Sequence, residues 1–159
     1  MSRVFPMLCF KTSRRHIPPT TKMWLVEKTA YLQEIWQEKG PKIMRNIEKQ
    51  CGFGFPNKAL SKGIVVYVHK REKDDNPGDM EETKPFQFNL YVTKRETWRD
   101  VKGTIVHELL HCLMWQKFYF DFRMGKPTFF ADIFADELVT SIVECMVLGR
   151  KPGMKTYRA

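Results

Sequence analysis

The sequence predicts an α+β protein, with helices towards both ends and a small antiparallel or mixed sheet between them. Three observations lead there. Apolar residues recur at helical spacing through residues 22–50 and again beyond residue 97. Between those stretches, residues 63–70 are short and β-branched. Residues 86–92 alternate Phe86, Phe88, Leu90 and Val92 with Gln87, Asn89 and Tyr91, a period of two. The length, 159 residues, is that of one domain able to bury roughly two-thirds of its unfolded surface.

Each element has its own signals. Residues 1–20 hold Pro6, Pro18 and Pro19, which forbid a long helix, so an irregular N-terminal segment is expected there. A single domain then spans residues 21–149. Thr20 or Thr21 can cap a helix over 22–39, with Trp24, Leu25, Leu32, Ile35 and Trp36 at helical spacing. Gly40-Pro41 is expected to break it. A second helix over 42–50 turns Ile43, Met44 and Ile47 inward and stops at Cys51-Gly52. The two strands are expected to pair antiparallel. Residues 71–85 between them are highly charged, contain Asn76-Pro77-Gly78 and read as an exposed loop. Thr97 with Asp100 forms a capping box for a helix running to about residue 117. A last helix over 129–148, capped by Thr128, ends at Gly149 with Pro152 beyond. Residues 150–159 form a basic tail.

Composition excludes several classes. Hydrophobic residues at 43% and charged residues at 28% suit a globular chain and not a disordered one. No run approaches about 20 apolar residues, so no membrane span is expected. Residues 4–10 are apolar but interrupted by Pro6 and followed by Lys11, Arg14 and Arg15, so no signal peptide is expected. Cys9, Cys51, Cys112 and Cys145 form no CxxC pair, so a reduced, intracellular chain is expected. The net charge of +9 points to an acidic partner such as nucleic acid, a membrane surface or an acidic protein. The basic residues are scattered, however, and solubility is the simpler account of them. No aromatic-interleaved nucleic-acid motif is present.

The chemistry concentrates in His107-Glu108-Leu109-Leu110-His111. On a helix, positions i and i+4 share a face, so two imidazoles can hold one Zn²⁺ from the same side. The glutamate between them can then act as general base on a water that the ion has acidified. Val101, Ile105, Leu109 and Cys112 give the same helix a packing stripe, and two of the four histidines fall in the motif.

This constellation resembles the zincin metallopeptidases over residues 64–148, its specific part being His107, Glu108 and His111. The resemblance implies a minimal zincin-like fold in which the HExxH helix follows a sheet and precedes a helix bearing the third ligand. It implies Zn²⁺ as cofactor, Glu108 as catalytic base, and a peptide or protein substrate. Met114 and Lys117 stand where metzincins carry glycine and a third histidine; no GTxD sequence and no later histidine follow. The gluzincin pattern, with a glutamate as third ligand on a later helix, remains.

Helix geometry ranks the acids of the last helix. With about 100° per residue and Glu137 at zero, Phe130 and Leu148 fall near 20°, Ile133 near −40°, Ser141 near 40° and Phe134 near 60°. Glu137 thus lies in an apolar arc, where an unpartnered carboxylate is costly. Glu144 falls at about −20°, on the same line, while Asp136 and Asp132 lie at about −100° and −140°. Glu137 is therefore the expected third ligand. Glu144 is the runner-up, as a ligand or as a partner of one. In gluzincins an acid often stands four residues after the ligand; here that position is Ser141.

Weaker candidates are His69 as a substrate contact against a solvent-facing strand histidine, His16 for phosphate, Cys9 as a latency ligand, and Tyr119 or Tyr157 for an oxyanion. Phe86 to Val92 is the expected strand beside the cleft. The competing functional class is a zinc-stabilised binding module, with nucleic acid as the partner the +9 charge would suit and the metal site structural or vestigial.

Overall fold

The computed structural model describes residues 5–13, 17–55, 57–73, 75–80, 84, 86–114 and 139–149. The order is β1 (Leu8–Thr12), α1 (Pro19–Cys51), α2 (Asn57–Lys62), β2 (Ile64–Lys70), β3 (Gly78–Asp79), β4 (Gln87–Val92) and α3 (Trp98–Met114). A further helical stretch over 139–147, here α4, follows. The class is α+β, with a mixed four-stranded sheet in the order β1-β2-β4-β3. The tail at 150–159 lies outside the described residues.

Three expectations are corrected. The segment 1–20, expected to be irregular, supplies β1, which pairs parallel with β2 in the register Leu8↔Ile64 to Thr12↔Val68. Its prolines flank the strand and leave Leu8 and Phe10 free to enter the core. Second, β2 and β4 pair parallel, not antiparallel, with Val66 opposite Phe88 and Val68 opposite Leu90. The supposed loop between them contains β3, antiparallel to β4. That extra strand reverses the chain once more, so β4 returns in the direction of β2.

Third, Gly40-Pro41 does not break the helix: α1 runs through Pro41 to Cys51. A Cβ at Gly40 would run into the Trp36 indole, so this glycine makes room for a side chain. Burial of Leu25, Leu32, Trp36, Met44 and Ile47 on both sides of the proline offsets its cost of about 3 kcal/mol. The helix opens at Pro18 and Pro19, with proline in the first turn, rather than at the threonines. It ends where expected, at Gly52, whose φ of 75° is left-handed.

One face of the sheet carries the core. Leu8, Phe10, Ile64, Val66, Val68, Phe88, Leu90 and Val92 are buried on it. α1 and α3 lie side by side there: Trp36 meets Phe10 at 6.3 Å and Trp98 edge-on at 6.4 Å. α3 adds Val101, Ile105 and Leu109, and α4 adds Val147. α4 ends at Gly149, as the sequence predicts. No helix among the described residues is long and apolar enough to cross a membrane.

Candidate functional site

α3 begins at the predicted capping box. The Thr97 N–H and hydroxyl both donate to Asp100 Oδ2, at 2.7 and 2.8 Å. These bonds hold the Asp100 carboxyl below its ordinary range. Beyond the cap, Val101, Ile105, Leu109 and Cys112 enter the core. His107 and His111, four residues apart on this helix, lie one turn apart on the same face.

Their rings stand at 4.6 Å, nearly perpendicular, with the two Nε2 atoms 3.0 Å apart. Glu144 on α4 places Oε2 3.3 Å from His107 Nδ1. A carboxylate only accepts, so His107 donates to Glu144 through Nδ1–H. Of the two Nε2 atoms, one donates to the other across their 3.0 Å contact. Two nitrogens each at 2.0–2.1 Å from one tetrahedral zinc would be about 3.3 Å apart. The observed spacing thus differs by a few tenths of an ångström from what a shared ion needs. A carboxylate on the far nitrogen of a ligating histidine is the common orienting partner in such sites.

Glu108 and His111 are 5% and 9% exposed, and a glutamate so buried is rare unless it is paired. β3 lies directly against Glu108: a Cβ on Gly78 would stand 2.8 Å from Glu108 Oε1 and 2.7 Å from Thr104 Cγ2. Cys112, one turn beyond Glu108, is fully buried. Desolvation, with the nearby Glu108 carboxylate, pushes its thiol well above the usual range. It packs as a small apolar residue.

The structure therefore brings together His107, His111 and Glu144, with Glu108 on the same helix. Glu137, Asp132, Asp136, Tyr119, Tyr157 and His16 lie outside the described residues. Among the described residues, no group of three or more His, Cys, Asp or Glu is arranged to hold a metal ion. The histidine pair fits two ligands, and a third would have to join it. Cys9 is an exposed free cysteine on β1. His69 does not face solvent: it is 8% exposed, on the sheet face opposite the helices, and bonded to Asn89. The strand beside Glu108 is β3; β4 is flanked by β2 and β3. Sequence reading missed Gly78 as a site residue because Asn76-Pro77-Gly78 carries an ordinary turn signal. The chain matches no family model, no curated protein and no solved structure.

Proposed function

We propose that this protein is a zinc-dependent peptidase, hydrolysing peptide bonds in a peptide or protein substrate. The supporting observation is the convergence of the His107 and His111 Nε2 atoms at 3.0 Å on a helix that also buries Glu108. In this reading His107 and His111 hold the ion through Nε2, and Glu144 keeps the proton of His107 on Nδ1. Glu137 supplies the third protein ligand. A bound zinc ion supplies Lewis acidity, polarising the scissile carbonyl and acidifying water near neutral pH. Glu108 takes the proton of the attacking water and delivers it to the departing amine. β3, the last strand of the sheet among the described residues and beside Glu108, would offer backbone groups to an extended substrate.

Zinc content together with Glu108→Gln tests this. Metal-replete protein should carry about one zinc per chain. Glu108→Gln should keep the ion and lose about 10²–10⁴-fold in hydrolysis, because the amide cannot accept the proton. Absence of zinc overturns the reading, and undiminished cleavage by the variant removes Glu108 as the base. Zinc without cleavage by the parent favours the binding-module class. Glu137→Ala should weaken zinc binding far more than Asp136→Ala; the reverse ranking moves the third ligand to Asp136.

A further inference from the structure

The sheet face away from the helices carries a polar ladder that the hydrolytic reading does not use. His69 on β2 donates its Nε2–H to Asn89 Oδ1 on β4 at 2.9 Å. Asn89 Nδ2 in turn donates to Asp79 Oδ1 on β3 at 2.6 Å. Donor chemistry fixes the direction. The Asp79 carboxylate can only accept, so the Asn89 amide nitrogen faces it and the carbonyl is left for the imidazole. The inner end of the ladder is anchored by packing, since the His69 ring stacks on Tyr91 at 4.9 Å.

The outer end is β3, only two residues long. Its register is Gly78↔Leu90 and Asp79↔Asn89, and the Tyr91 N–H reaches back to Pro77 O at 3.0 Å. So short an edge strand has little backbone ladder of its own. A charge-assisted side-chain bond is a large share of what can hold it. Adjacent strand residues point to opposite faces. Asp79 therefore faces the ladder while Gly78 faces α3, against Thr104 and Glu108.

We infer that His69, Asn89 and Asp79 are positioning residues: their ladder clamps β3 onto α3 and so fixes where the Glu108 carboxylate stands. The catalytic consequence rests on the peptidase reading; the clamp itself does not. A base displaced by about 1 Å can cost 10²-fold in rate.

The test compares the parent with Asn89→Leu, which removes both bonds, and Asp79→Asn, which keeps an acceptor but not the charge. Three readouts are taken: amide exchange at Tyr91, the ¹³C resonance of the Glu108 carboxyl, and kcat on a peptide substrate. In Asn89→Leu, Tyr91 should exchange about tenfold faster or more while Leu32 in α1 is unchanged. The Glu108 resonance should move, and kcat should fall about 10- to 100-fold at unchanged zinc content. Asp79→Asn should fall between variant and parent, and it carries the test should Asn89→Leu not fold. Unchanged Tyr91 exchange and an unmoved Glu108 resonance overturn the clamp. Where the parent hydrolyses peptides, an unchanged kcat in Asn89→Leu overturns the positioning role. A parent without hydrolysis, but with the exchange and resonance changes as expected, supports the clamp and defeats only the peptidase reading.

Discussion

α1 and α3 cover the same face of one sheet, yet they bury different chemistry. α1 contributes Leu25, Leu32, Trp36, Met44 and Ile47 to the core. Its buried polar side chains satisfy nearby backbone: the Thr29 hydroxyl donates to Leu25 O, and Glu48 Oε1 accepts the Phe55 N–H. α3 also buries an apolar stripe, but adds Glu108 and His111, with His107 beside them. There the hydrogen bonds run from side chain to side chain, His111 to His107 to Glu144. Burying such groups costs several kcal/mol unless they are partnered. The difference teaches where to look. A polar group that closes a turn explains itself through folding, whereas a polar cluster that converges on a point is a departure from local economy of the kind functional sites show.

The largest expected effect separates the two regions by stability. Leu32 is wholly buried in the α1 half. Leu32→Ala should destabilise the protein by about 2–5 kcal/mol. At this chain length Tm should drop by roughly 2–4 °C for each kcal/mol. Zinc affinity of the folded protein should not change. Calorimetry beside a zinc titration checks both. A matching loss of affinity would show that the α1 core and the histidine pair are one cooperative unit.

Glu144 sharpens the other half of the comparison. Its contact with His107 Nδ1 orients a ligand without being one in the reading above. Glu144→Ala should lower zinc affinity about 10- to 100-fold, the usual cost of losing such a partner. Stability in the presence of chelator should change little, since Glu144 is at the site's margin. Competition titration against a chromophoric chelator measures this. Complete loss of binding would instead make Glu144 itself the third ligand.

The same contrast explains what the sequence disclosed. α3 was legible in its start, its stripe and its two histidines, because all of these are set by neighbours within four residues. The α+β class followed from two periods, 3.6 and 2. What escaped depends on distant partners. β1 exists because Leu8 to Thr12 finds β2 more than fifty residues on. Gly40 looked like a breaker, and its purpose is visible only once the Trp36 indole lies over it. The direction of β4 turned on β3, a strand of two residues with no periodicity to read. In the site, the spacing in the chain paired His107 with His111. That Glu144 meets His107, and that Gly78 touches Glu108, required the fold.

The smallest effect concerns how the two helices begin. α1 starts at Pro18 without a side-chain cap, whereas α3 is capped by Asp100, which accepts from the Thr97 N–H and hydroxyl. Those bonds favour the charged carboxylate and lower its pKa in the folded state. The sign follows from linkage. The unfolded chain binds the proton more readily, so the cap's contribution is fully present above the ordinary carboxylate value of about 3.9. It is lost as pH falls through the lowered folded value. Asp100 is fully exposed, so the shift in Tm should be smaller than the one predicted for Leu32→Ala. Melting curves of the parent and Asp100→Ala should lie a constant distance apart above about pH 5 and converge below about pH 4. The protection of the Thr97 amide against exchange, relative to the intrinsic rate at each pH, should fall in the parent over the same acid range, while that near Lys22 in the first turn of α1 should not. A gap that persisted undiminished in acid would mean that the cap acts through the shape of the side chain and not through its charge.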